Sequence, residues 1–85
     1  MITTGQVTVG TTRVQIDGTS VSNWKIHIHN MDNSDAIFIG GADVTVANGL
    51  VLQKLESLEL ECYPSETIYV VSTKAGHLIS FLRQV

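Results

Sequence analysis

Positive charge is what this chain has least of. Five Lys and Arg stand against eight Asp and Glu in 85 residues, for a net charge of −3. The five, at positions 13, 25, 54, 74 and 83, do not cluster. A phosphate-binding surface needs a stripe of such residues, so nucleic acid is excluded as a partner. Cysteine is nearly absent. Cys62 alone cannot form an internal disulfide, and its place in an alternating run reads as a small buried apolar group. No histidine stands near it in sequence to make it a nucleophile. No apolar run approaches the roughly 20 residues of a membrane span, so no membrane partner is expected. Met1-Ile2-Thr3-Thr4 has no basic region and no long apolar run follows it, so the expectation is a protein made in a reducing cytoplasm. Only five aromatic residues are present, which weakens any reading as a carbohydrate-binding module.

What remains is 44% apolar and 15% charged, a globular composition. Such sparse charge leaves much of the surface to Thr, Ser, Asn, Gly and exposed apolar groups. That surface suits association with other protein, including copies of itself. A chain this short buries only about 60–65% of its unfolded surface, so a deep substrate cavity would compete with the core.

The hydrophobic pattern is almost entirely period two. Gln6–Val9, Thr12–Ile16, Trp24–Asn30, Ala36–Ile39, Leu50–Leu52, Ser57–Cys62, Thr67–Val71 and His77–Leu82 read as strands. Gly, Asn, Asp and Ser clusters divide them, with Asp17-Gly18 the strongest turn signal. No window supports a long helix. About eight short strands at this spacing predict an all-β fold, a small antiparallel β-sandwich or barrel, as one domain over residues 1–85. Residues 1–4 read as a flexible arm. In Trp24–Asn30 the alternation puts Trp24, Ile26 and Ile28 on one face and Lys25, His27 and His29 on the other. Glu59 and Glu61 point outward in the same way.

Four features have the residue types that chemistry requires. His27 and His29 can chelate a transition metal, because imidazoles two apart on a strand project side by side. His77 would be the third ligand of a cupin-like site, with Asp32 or Asp35 as the carboxylate. The glycine and glutamate of that signature are missing, and Lys25 shares the face, so no metal is expected there. Met31–Asp35 is rich in Asp and Asn but lacks the spacing of a calcium loop and reads as a turn. Gly40-Gly41 and Asn48-Gly49 read as positive-φ positions in a structured connection, since no P-loop lysine or helix follows. No nucleophile elbow is present, and the Glu59/Glu61 pair has a spacing that many strands share. The expectation is no catalytic residues and no cofactor. Trp24 and Tyr69 are candidate interface anchors, since aromatics dominate interface hot spots.

The string AIFIGGADVTVANGLVLQKLESLELE resembles a family of small tailed-bacteriophage virion proteins. Val44-Thr45-Val46-Ala47-Asn48-Gly49, Leu52–Leu58 and Ser65–Val70 carry the likeness, with the opening Gln6–Thr12 and the ending His77–Gln84. The resemblance implies a capsid decoration (cement) protein, a homo-oligomer with a trimer favoured, bound to the phage major capsid protein on the virion surface. It also implies, as a variant, an anchoring module of a head fibre or tail.

Overall fold

The computed structural model describes residues 2–16 and 21–84. The described residues form eight strands: β1 Ile2–Val9, β2 Val14–Ile16, β3 Trp24–Asn30, β4 Ile37–Gly40, β5 Leu50–Leu52, β6 Ser57–Cys62, β7 Ile68–Ser72 and β8 His77–Gln84. Residues 2–4, expected as an arm, belong to β1 and pair with Gln84, Arg83 and Leu82 of β8. The Asp17-Gly18 turn lies outside the described residues.

Two four-stranded antiparallel sheets result, in the orders β1-β8-β3-β6 and β2-β7-β4-β5. Successive strands alternate between the sheets except β4 and β5, which pair with each other in the second, and this is the strand order of a jelly roll, so the fold is a sandwich and not a closed barrel. The sheets meet over Val9, Ile16, Trp24, Ile26, Ile28, Ile37, Ile39, Leu52, Cys62, Ile68, Val70 and Ile79. Isoleucine and valine dominate because their branched Cβ fits a pleated surface and one face of every strand is turned inward. Each fully buried aliphatic side chain contributes about 1.5–3 kcal/mol. Register is pinned by that contrast, since a slip of one residue in β3 would exchange Ile26 and Ile28 for His27 and Lys25.

The glycines of the β4–β5 connection act differently from the expectation. Among the described residues positive φ occurs at Leu55, Ser65 and Gly76, and not at Gly40, Gly41, Asn48 or Gly49. What Gly40 and Gly49 supply is room. A Cβ on Gly40 would meet Val44 Cγ2 at 2.8 Å, and one on Gly49 would meet Phe38 Cβ at 2.7 Å. Their missing side chains let Val44 close over Phe38 on the outside of the second sheet, where it is buried. Asn48 instead fixes the loop, its Oδ1 accepting the Thr45 N–H at 2.7 Å.

Candidate functional site

The chemistry-bearing residues fall into two places. On the outer face of the first sheet, register sets His27 beside Glu59 on one side and Leu82 on the other. Lys25 stands opposite Glu61 in the same way. His27 and both glutamates are exposed, and His29 is half-buried.

His77 is on the other side of the sheet. β8 turns it inward in phase with Ile79 and Phe81, and it has no exposed surface. The three histidines therefore do not converge. Among the described residues no group of three or more His, Cys, Asp or Glu side chains is arranged to hold a metal ion.

His77 belongs instead to a buried polar chain at one end of the sandwich. Asn30 has the apolar phase of β3, after Trp24, Ile26 and Ile28, and is fully buried. Its Nδ2 donates toward the carbonyls of Asp35 (3.0 Å), Leu52 (3.2 Å) and Gln53 (3.0 Å). Its Oδ1 accepts the Asp32 N–H at 3.0 Å. Those partners fix the amide's orientation, and His77 Nε2, 2.8 Å from the same Oδ1, must donate. His77 Nδ1 is then the acceptor for the Ser72 hydroxyl at 3.0 Å. Ser72 Oγ in turn accepts the Lys74 N–H at 3.3 Å.

The outer end of the chain is charged. Asp32 Oδ1 accepts from Ser34 Oγ (2.5 Å), Ser34 N (2.7 Å) and Asp35 N (3.2 Å), the geometry of an Asx turn. Lys74 Nζ bridges Asp32 (3.1 Å) and Asp35 (3.4 Å). The Ser34 hydrogen bonds, followed by the Lys74 ammonium, hold the Asp32 carboxyl well below the usual carboxylate range. The hydrogen bond to Asp32 raises Lys74 above the ordinary lysine value. His77 is pushed down, first by burial, while Asp32 at 3.9 Å from Nδ1 pulls the other way. The resting histidine is thus neutral, with its proton on Nε2. Met31–Asp35 is a turn, as expected, and Lys74 pairs with both of its carboxylates, offsetting one of the two charges.

A serine, a histidine and an asparagine in hydrogen-bond contact resemble part of a nucleophilic triad. Ser72 is 1% exposed and His77 and Asn30 are 0% exposed, so no substrate carbonyl can reach the hydroxyl. The chain spends its hydrogen bonds on tying β3, β7, β8 and the segment after β5 together. Sequence reasoning did not single out Asn30 or Ser72. The signal was Asn30 standing in phase with three large apolar residues, since a polar group there must be paired.

At the opposite end, Trp24 is 2% exposed and packs in the core with the Arg83 guanidinium 4.6 Å from its ring centroid. Tyr69 is half-buried on the outer face of the second sheet, near Gln15 Oε1 (3.4 Å). Cys62 is buried, and burial raises its thiol above the ordinary value, which makes it a poor nucleophile.

No family model matches the chain, and no curated protein does. A solved structure does: a chain from Bacillus endospore appendages, described as a novel family of disulfide-linked pili. The TM-score is 0.68 at 16% identity, over 100% of this chain and 85% of that one. At that identity the likeness is one of fold. It corrects the resemblance to tailed-bacteriophage virion proteins, and with it the capsid decoration role, the major capsid protein as partner and the virion as location. The strings behind that resemblance are strand ends and Asn-Gly or Gly-Gly connections. Any eight-stranded sandwich of this size needs such pieces, whereas the whole path of this chain matches the appendage subunit.

Proposed function

We propose that this chain is a non-catalytic structural subunit that associates with copies of itself into a fibre of pilus type. The observation that carries the reading is the free edge of β1. Ile2-Thr3-Thr4-Gly5-Gln6-Val7-Thr8-Val9 is eight residues long and lies at the end of its sheet. It has no charge and no proline. Monomeric β-proteins blunt such edges with lysine, proline, bulges or a covering element, because the bare N–H and C=O groups invite another strand. The fold likeness to a pilus subunit supports the same reading. So do the exposed Ile2, Leu50, Val51 and Leu82.

The neighbour's pili are described as disulfide-linked. Cys62 is the one thiol in these 85 residues and is buried, and one thiol per subunit makes one disulfide and therefore at most a pair. A polymer built through these 85 residues is accordingly held together non-covalently. A closed homotrimer, which the capsid resemblance favoured, is the competing oligomer.

Sedimentation velocity over a hundredfold concentration range, with negative-stain electron microscopy of the concentrated sample, tests the proposal. The expected result is concentration-dependent growth into filaments. A monomer at every concentration would overturn it, and a single closed trimer would overturn the fibre.

A further inference from the structure

The segment joining β5 to β6 presents a large apolar side chain to solvent. Leu55 is 52% exposed and has φ of 59°, in the left-handed region. An L-residue there costs about 1–2 kcal/mol, which Gly or Asn largely avoids. A leucine that is both strained and half exposed suits the isolated subunit less well than Gly or Asn would. Backbone strain of this kind is a feature of binding sites.

The turn beneath it is rigid. Glu56 Oε1 accepts the Gln53 N–H at 2.8 Å, and the Glu56 N–H donates to Gln53 O at 3.1 Å. Buried Asn30 holds both sides, its Nδ2 donating to Gln53 O and its N–H donating to Glu56 O at 2.8 Å. The polar chain through His77 is therefore the foundation on which Leu55 stands. Lys54 is exposed beside it.

The far end of the same β5–β6 edge holds a complementary feature. Between the sheets, a cleft of ≈ 340 Å³ is lined by Leu50, Leu60, Cys62 and Ile68, with Glu61 and Glu66 among its walls. Leu50 starts β5 and Cys62 ends β6, whereas Leu55 lies between β5's end and β6's start. An apolar knob with a cation beside it and an apolar cleft with two carboxylates thus occupy opposite ends of one edge.

We propose that Leu55 and Lys54 of one copy seat in the Leu50–Leu60–Cys62–Ile68 cleft of the next, with Lys54 facing Glu61 and Glu66. The occupant is a second copy of this chain, because this chain supplies both the apolar shape and the charge that the cleft lacks. Knob and cleft are different surfaces, so the contact is heterologous, and it propagates head to tail unless its rotation closes a ring. The inference rests on the self-association reading and names a contact that serves it.

Cys62 makes the contact testable directly. With Leu55→Cys under mild oxidation by dissolved oxygen and copper, each subunit has one thiol on the knob and one in the cleft. Non-reducing gels are expected to show a ladder in steps of 9.2 kDa. Leu55→Cys with Cys62→Ser should lose the ladder, leaving monomer and at most a dimer from chance knob-to-knob collisions. Leu55→Asn, a residue suited to the left-handed backbone, should hold or raise the melting temperature while moving half-assembly to about tenfold higher concentration or more. Lys54→Glu should weaken assembly, and adding Glu61→Lys should restore it. Filaments that form normally with Leu55→Asn, and no ladder, would overturn this contact and leave the fibre reading standing. A wild-type chain that stays monomeric, with no ladder from Leu55→Cys, would overturn both.

Discussion

Asn30 decides more than any other single side chain. A buried amide facing three carbonyls, a backbone N–H and an imidazole cannot be truncated without leaving those groups unpaired. Each such group costs about 1–3 kcal/mol, so Asn30→Ala is expected to destabilise the fold by about 3 kcal/mol or more, read by urea denaturation. His77 adds a pH dependence of known sign. Its folded-state pKa lies below the unfolded value near 6.5, so the unfolded chain takes up the proton first as pH falls. The contribution is full above about pH 6.5 and is lost progressively below it. Asp32 acts lower on the scale: its depressed carboxyl contributes above its unfolded value near 3.8, and that contribution fades as pH falls further. Denaturation midpoints measured from pH 7.5 down to pH 5 should fall for the wild type. The fall should be shallower in His77→Gln, which keeps a donor toward Asn30 and does not titrate. An unchanged slope in that variant would remove His77 from the account. The exposed His27 makes the contrasting case, and His27→Ala should leave stability within about 0.5 kcal/mol.

Among the elements, β3 was the most legible in the sequence. Its alternation placed every residue from Trp24 to His29 on the correct face, because one face of a sandwich strand is dry and the other wet. The β4–β5 connection was legible only as a loop. Its glycines were expected for φ, but Gly40 and Gly49 are required by a close approach from Val44 and Phe38, which are brought there by the fold and not by local turn chemistry. Gly49→Ala should therefore cost about 1–3 kcal/mol in thermal or urea unfolding, since the Cβ would meet Phe38 Cβ at 2.7 Å and the Thr45 carbonyl at 3.1 Å. Gly10→Ala meets nothing within 4 Å and should be close to neutral. Equal costs at the two positions would refute the packing explanation. The β1 edge is an element-scale liability of another kind. Placing lysines at Thr4 and Gln6, whose side chains are exposed, should leave the melting temperature nearly unchanged while suppressing association, as charged edge residues do. Sedimentation of this double variant beside the wild type checks it.

For the molecule as a whole, the two sheets place their special features at opposite ends. The Asn30–His77 chain and the Leu55 turn occupy one end, and Trp24, Arg83, Cys62 and the acidic cleft lie toward the other, in a body 34 Å in its longest dimension. That polarity is what a head-to-tail contact requires of a subunit. It also separates the histidines. His27 and His29 face solvent on the outside of the first sheet, while His77 closes the interior, so a shared metal would need one strand to turn over.

Period two along the chain determined the all-β class, the eight strands and which face of β3 and β6 is dry. These follow from local alternation and from the cost of burying a polar side chain, both written in neighbouring residues. The chain's sparse charge likewise determined that much of its surface would be neutral. Only the tertiary structure decided that the strands form a jelly roll, because strand order depends on pairings between residues far apart in sequence. Only it decided that Asn30, Asp32, Ser72, Lys74 and His77, spread over nearly fifty positions, meet in one chain of hydrogen bonds. The same holds for the distance between the Leu55 turn and the cleft it complements, which is set by how β5 and β6 sit on the edges of two different sheets.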